Sequence, residues 1–334
     1  MKVLVMGGTR FNGRALVNEL VRHDHEVTVF NRGQTPGELP DNVERLYGDR
    51  RDYKNLTETL RGREFDCVQD ISGVRPEDVK GLLAALDDRF GHYIFPSSTV
   101  IYTRSNLLPI TEDHPVDRSE NQDRYGLNKL TSEEYLMERF RHEGLPVTVV
   151  PFSMVFGPHN HLVDREARMF HRIANGRPVL IPGDGTTLSQ IGHVDDEAAA
   201  LRMMMLNPAT FGKRYNLTGA DYWSDEGYVD TFAEVMETTV EKVFVPSSVM
   251  DEIWDAGRAS SYLIQRVAPY IHPWNESTLF SIERLKKDID WQPAYSFPEA
   301  VAQTWKWFCD SALPGTLGFD YAPEDELLER LLKA

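Results

Sequence analysis

Disulfide chemistry is what the chain most plainly lacks. Its two cysteines, Cys67 and Cys309, are too few for a framework of bridges, and such thiol usage suits a reducing cytoplasm. Long apolar runs are missing as well: no stretch approaches the roughly 20 residues of a membrane span, so no membrane partner is expected. The first residues carry no basic region followed by an apolar one and a cleavage site, and no secretory leader is expected. Positive charge is in deficit, with 36 Lys and Arg against 52 Asp and Glu, a formal net charge of −16. Binding to nucleic acid needs cations that displace counterions, so no nucleic-acid partner is expected. An anionic substrate must instead be met by local Arg, Lys or helix N-termini, because the overall field repels it. Internal repeats and low-complexity tracts are also absent, which excludes solenoids and disordered arrays.

What is present begins at once. The apolar residues 3–6 run into the turn Gly7-Gly8-Thr9-Arg10-Phe11-Asn12-Gly13, and the turn opens a helix expected over residues 14–21. This strand, glycine-rich loop and helix form the entrance of a dinucleotide-binding fold: glycine lets the backbone approach a pyrophosphate, and the helix N-terminus offers it free N–H groups. Further strands are expected at residues 26–30, 43–47, 66–71, 92–96 and 146–152. Helices alternate with them near residues 53–61, 76–87 and 124–143. That alternation implies an α/β fold, a Rossmann-type doubly wound parallel sheet with right-handed crossovers. Residues 1–155 form the expected nucleotide domain, with a segment at about 193–219 returning to the sheet through a strand at residues 215–218. A smaller, discontinuous C-terminal lobe for substrate is expected from about residues 156–192 and 220–330. At 334 residues the chain is long enough for both.

The chemistry centres on Tyr125-Gly126-Leu127-Asn128-Lys129, which places a tyrosine and a lysine one helical turn apart on one face. An ammonium beside a phenol favours phenolate and is expected to lower the pKa of Tyr125. A tyrosine tuned in this way passes a proton to or from a substrate hydroxyl while hydride moves. Ser98 follows the fifth strand, where a parallel sheet presents its carboxyl edge, and its hydroxyl can bond a developing alkoxide; capping the strand end is the other job open to it.

These residues carry a family resemblance that runs nearly end to end. The chain resembles the extended short-chain dehydrogenase/reductases, the group of nucleotide-sugar epimerases and dehydratases. Gly7 and Gly13 match the first and third glycines of G-x-x-G-x-x-G; Asp49 and Asp52 match the adenine-side G-D-x-x-D. Residues 97–102 match S-S-x-x-V-Y, Tyr125 and Lys129 match Y-x-x-x-K, and Phe156-Gly157-Pro158, residues 182–185 and His193-Val194-Asp195-Asp196 match later motifs. The resemblance implies a catalytic set of Ser98, Tyr125 and Lys129, with Tyr125 as acid/base and Lys129 on the nicotinamide ribose. It implies cofactor contacts from Gly7, Gly8, Thr9, Arg10, Phe11, Asn12, Gly13, Asn31, Arg32, Asp49, Arg50, Ser72 and Phe152, besides Tyr125 and Lys129. The implied reaction is hydride transfer at a secondary alcohol or ketone, either an epimerase or dehydratase or a net reductase. The entrance Gly-Gly-Thr-Arg-Phe also looks like that of a chloroplast RNA-binding branch, which leaves a non-catalytic member as the alternative.

The departures from the pattern matter equally. Arg10 occupies the middle glycine. Asn31 and Arg32 stand where an NAD-selective site presents a carboxylate to the ribose 2′-hydroxyl. Asn31 does not repel a 2′-phosphate, and the two arginines suit one, so NADP(H) is favoured, with NAD(H) also accommodated. Asp70 replaces a histidine of H-x-A-A and is read as a cap of its loop or helix. Met154 and Ser189 replace an asparagine and an arginine that hold a nucleotide-sugar diphosphate. Arg258, Arg266, His159 and His161 are candidate replacements, so the small-molecule substrate is left as a sugar or a nucleotide sugar. No third ligand completes a metal site around His159 and His161, and none is expected. Leu136, Met137 and Phe140 serve either a homodimer face or the core. Trp305, Trp307 and Phe308 read as core packing of a C-terminal helix.

Overall fold

The computed structural model describes residues 1–35, 39–258 and 273–333. In chain order the first half runs β1 (Lys2–Met6), α1 (Phe11–Arg22), β2 (Glu26–Asn31), β3 (Glu44–Tyr47), α2 (Tyr53–Leu60), β4 (Phe65–Gln69), α3 (Pro76–Leu86), β5 (Phe90–Ser98), α4 (Arg124–Glu143) and β6 (Val147–Phe152). The second half continues with β7 (Met154–Phe156), α5 (Glu166–Ala174), β8 (Val179–Pro182), β9 (Leu188–His193), α6 (Val194–Met204), β10 (Lys213–Arg214), β11 (Tyr222–Ser224), α7 (Asp225–Val235) and β12 (Lys242–Val245). It closes with α8 (Ser247–Asp255), α9 (Glu283–Ile289), α10 (Phe297–Asp310), α11 (Leu313–Thr316) and α12 (Ala322–Leu332).

Residues 3–6 of β1 are all buried, with no alternation, because both faces of this strand are covered. β1 lies in a seven-stranded sheet of order β10-β6-β5-β4-β1-β2-β3, and every pairing in it is parallel. One face is packed by α1 and α6, where Leu16, Val17 and Leu20 meet Leu201 and Met204; the other is packed by α2, α3 and α4. Strand order reverses between β1 and β4, so the loops leaving their carboxyl ends splay apart and open a crevice. Two smaller sheets lie beyond β6: β11-β9-β7, and the parallel pair β12-β8.

Capping fixes where α4 starts. The Asp123 side chain accepts from the Gly126 N–H at 2.6 Å, and Gly144 ends the helix in the left-handed conformation. The strand expected over residues 215–218 begins earlier: β10 pairs with β6 at Lys213 and Arg214, and the chain runs on along β6, with the Tyr215 and Leu217 N–H groups donating to the Val149 and Pro151 carbonyls, each at 3.0 Å, and Leu217 bridging to Phe152. β9 carries no expectation from the sequence, because five of its six residues are buried and no alternation marks it as a strand. Leu136 lies wholly in the core, and Met137 and Phe140 are half-buried and packed against the same cluster. Phe308 is likewise core, with Trp305 and Trp307 packed beside it. No helix among the described residues is long and apolar enough to cross a membrane.

Candidate active site

One cavity of about 1250 Å³ opens at the crevice. Its walls include every residue assigned to catalysis or cofactor binding in the sequence: the turn at residues 7–13, Asn31, Arg32, Asp49, Arg50, Ser72, Ser98, Tyr125, Lys129 and Phe152.

Close packing requires glycine at two positions of the turn. Gly8 has φ +91°, and a Cβ there would lie 3.0 Å from both Val29 methyl groups. A Cβ on Gly13 would lie 2.7 Å from the Gly8 nitrogen, so α1 packs directly on the loop. Arg10 is the N-cap residue of α1, but its side chain does not cap; Nε donates to Thr35 Oγ1 at 3.1 Å, in the loop after β2. In that loop Asn31 Oδ1 accepts from the Gly33 N–H at 2.8 Å, and Arg32 is exposed. Arg10, Asn31 and Arg32 thus converge on the end of β2. Asp49 lines the cavity, whereas Asp52 is spent as the N-cap of α2, accepting from Asn55 N at 3.1 Å.

On the opposite wall, Ser98 ends β5 in register with Phe152 at the end of β6. The Ser98 and Tyr125 side chains both line the cavity at this wall. Lys129, 4% exposed, lies beneath them. Its Nζ donates to the carbonyls of Gly73 and Pro96, each at 2.7 Å, and sits 4.8 Å from the centre of the Phe95 ring. Burial pushes the ammonium down to about 8, against the pull of Asp70. The lowering of the Tyr125 pKa expected from the spacing is not found. Desolvation raises it although the residue is 45% exposed, Asp123 adds to the rise, and the nearby Ser98 hydroxyl opposes it. The physical reason is that the lysine's proton donors are directed at two backbone carbonyls, with Nζ 5.9 Å from the centre of the Tyr125 ring.

Asp70 does not cap a helix. It is fully buried and accepts from Arg50 Nη1 at 2.5 Å, Arg50 Nη2 at 2.9 Å and the Tyr93 hydroxyl at 2.6 Å. Arg50 thus commits its guanidinium to Asp70 while still lining the cavity.

The fold agrees with that of known proteins. The family model for the NAD dependent epimerase/dehydratase family matches residues 3–218. The chain belongs to that family. Solved structures of epimerase/dehydratase enzymes share its fold. The dTDP-glucose 4,6-dehydratase of Bacillus anthracis, in complex with NAD, superposes with TM-score 0.74 at 17% identity, covering 93% of this chain and 97% of that one. UDP-glucuronic acid 4-epimerase of Bacillus cereus, in complex with UDP-glucuronic acid and NAD, gives 0.72 at 18%, covering 93% and 99%. Among curated sequences, the chloroplast stem-loop binding protein of 41 kDa b from Arabidopsis thaliana is 29% identical over 320 residues, 91% of this chain and 78% of that protein.

The departures from the epimerase/dehydratase pattern fall on the other side of the cavity. Met154 lines it; Ser189 is buried and does not. Of the four candidate replacements, His161 lines the cavity. His159 instead packs on Trp307, with ring centres 5.1 Å apart. Arg258 is exposed and off the cavity wall, and Arg266 lies outside the described residues. The sequence reading missed Arg165, which lines the cavity beside His161. Its Nη2 donates to the Val155 carbonyl at 2.7 Å, and the nearest carboxylate oxygen, on Glu166, is 3.8 Å from Nε. Both Glu166 oxygens accept from Asn160 Nδ2 instead. Nothing in the local sequence marks this arginine, which precedes α5 without capping it. Among the described residues no group of three His, Cys, Asp or Glu side chains can hold a metal.

Proposed function

We propose that this chain catalyses pyridine-nucleotide-dependent oxidation or reduction at a secondary alcohol or ketone centre. The observation that carries the reading is the gathering of Ser98, Tyr125 and buried Lys129 with the glycine-rich turn around one cavity. The turn suits a dinucleotide, since it lines the cavity at the N-terminus of α1, where first-turn N–H groups can meet a phosphate. When bound, the nicotinamide supplies the hydride donor or acceptor. Ser98 then orients the substrate oxygen. Tyr125, a phenol whose pKa is raised rather than lowered, donates its proton to the oxygen of a ketone and takes it back in the reverse direction. Lys129 has two donors committed to Gly73 and Pro96 and one proton left for a ribose hydroxyl.

NADP(H) is the favoured cofactor, because Asn31 brings no negative charge to the end of β2 while Arg10 and Arg32 flank it. Residues 1–155 with 193–219 are the proposed nucleotide domain, and 156–192 with 220–330 the substrate lobe. In that lobe Arg165 and His161 are the groups available to an anionic part of the substrate, and Met154 offers none of the polar contact that a nucleotide diphosphate needs at its position.

Tyr125→Phe tests the reading, since it removes the transferable proton and keeps the ring. On any substrate the purified protein is found to turn over, the variant loses at least a hundredfold in kcat, within the range of general acid–base catalysis. Turnover within a few-fold of wild type sinks the assignment.

The relationship to a stem-loop binding protein favours one second reading, a non-catalytic role on RNA. The net charge of −16 opposes it. A gel shift at physiological salt decides: tight binding that weakens steeply with added salt would revive it.

A further inference from the structure

We propose that the buried Arg50–Asp70 ion pair is a positioning device for Lys129, acting through the carbonyl of Gly73. The inference rests on the assignment of Lys129 to the nicotinamide ribose.

Asp70 immediately follows β4, and its N–H is fixed by the Ile94 carbonyl of β5 at 3.0 Å. From there the chain crosses the carboxyl edge of the sheet to α3. Residues 70–74 form no strand or helix of their own; beyond the Asp70 bond, the Ser72 N–H donates to the Met6 carbonyl of β1 at 3.1 Å, and side chains hold the rest. Arg50 is the hub. Besides gripping both Asp70 oxygens, Nη1 donates to Ser72 Oγ at 2.9 Å and Nη2 to the Asp78 carbonyl at 2.9 Å. The crossing is thus pinned at its start, its middle and the first turn of α3. Gly73 sits on the same carboxylate: a Cβ there would lie 2.5 Å from Asp70 Oδ2 and 3.0 Å from the Phe95 ring. Nothing larger than glycine fits, and the Gly73 carbonyl is left to accept from Lys129 at 2.7 Å. The other acceptor, Pro96, belongs to β5 and is fixed by the sheet. Of the two carbonyls that hold the ammonium, only the one on Gly73 depends on the ion pair.

The pair also spans the cofactor site. Arg50 belongs to the loop after β3 that carries Asp49, and Lys129 stands on the wall with Ser98. A single buried contact therefore ties the loop at one wall to the group that meets the nicotinamide ribose at the other.

The charged and titratable groups facing Lys129 are Asp70 after β4, Arg50 after β3, Asp78 on α3 and Glu133 on α4 itself. Asp70 favours the ammonium and Arg50 opposes it. Removing one member of the pair therefore shifts Lys129 in the direction opposite to removing the other, which a purely structural role does not do.

The experiment compares wild type with Asp70→Asn, Arg50→Met and the double variant Arg50→Met/Asp70→Leu. The double variant is the one built to fold, because apolar residues of similar volume can replace a buried ion pair without loss of stability; circular dichroism checks each protein. Two quantities are read. One is the affinity for NADPH or NADH, whichever wild type binds more tightly, relative to that for ADP, which lacks the nicotinamide ribose. The other is the rate at which acetic anhydride acylates Lys129 in the nucleotide-free protein, followed against pH by mass spectrometry. In the double variant the dinucleotide-to-ADP affinity ratio is expected to fall at least tenfold and Lys129 to acylate at least threefold faster. The acylation midpoint is expected to move down in Asp70→Asn and up in Arg50→Met. A folded double variant with the ratio within twofold of wild type and Lys129 acylation unchanged overturns the proposal. If wild type binds neither dinucleotide, the functional reading fails, while acylation still reports on the positioning of Lys129.

Discussion

Asn31→Asp is the sharpest probe of which dinucleotide the cavity takes. The change is nearly isosteric. Asn31 Oδ1 already accepts the Gly33 N–H at 2.8 Å, and an aspartate oxygen accepts it equally well, so the turn after β2 keeps its shape. What changes is charge. A unit negative charge about 5 Å from a phosphate charge at an effective dielectric constant of about 20 costs about 3 kcal/mol per unit. The position is half-buried and flanked by exposed Arg32, so salt and solvent screening reduce this to about 1–2 kcal/mol. That corresponds to about a 5- to 30-fold loss of NADPH affinity. NADH should gain, because the new carboxylate can accept the ribose 2′-hydroxyl, a bond worth about 1 kcal/mol net. Fluorescence titration with the two reduced nucleotides measures the ratio directly. A ratio that stays within twofold of wild type, or that moves toward NADPH, refutes the electrostatic argument. Arg32→Ala is the complement, and is expected to weaken NADPH more than NADH.

Other consequences are as direct. Dinucleotide affinity is expected to fall as pH rises through about 8, where buried Lys129 loses its proton, and to hold steady from pH 6 to 7.5; a flat profile from pH 6 to 9.5 counts against the ribose contact. The same group affects stability with a definite sign. Its folded pKa lies below the unfolded value, so the unfolded chain binds more protons between about pH 8 and 10.5, and this group's contribution to stability rises with pH across that window. Glu324 on α12 is wholly buried and bridges Arg168 at 2.9 Å and Arg172 at 2.8 Å, both on α5. Glu324→Ala leaves two buried guanidiniums without their carboxylate and is expected to cost about 3–5 kcal/mol in urea unfolding. A loss under 1 kcal/mol would mean that water reaches the arginines.

Much of the fold could be read from local chemistry. Asp123 and Gly144 bound α4 where the sequence places a helix over residues 124–143, because a cap residue and a left-handed glycine act within one turn of themselves. The buried strands of the parallel sheet stand out as short apolar runs. The small sheets are less legible: β7 is three residues long, and β9 has the composition of a loop until β7 and β11 flank it. The return of the chain after α6 was visible as an apolar stretch, and its bonding to β6 begins earlier, at Lys213 and Arg214, and continues through Leu217.

The site divides in the same way. Ser98, Tyr125 and Lys129 are each fixed by a strand end or a helical turn, and their meeting at one cavity follows from sheet order. Arg165 could not be found in advance, since its place beside His161 depends on how the segment before α5 folds over the cavity. Asp70 was misread for a related reason. Its partner is 20 residues away on another loop, and a capping aspartate and an ion-paired one look alike in sequence.

The sequence by itself determined the nucleotide-binding fold, the order of its motifs and the residue types at the candidate site, because steric freedom at glycine, helix caps and apolar runs act over a few residues. The tertiary structure alone decided the electrostatics. Whether Lys129 lowers the Tyr125 pKa, whether Arg50 is committed to Asp70, and which cation looks into the substrate side all depend on desolvation and on distances between elements, which a local pattern does not encode.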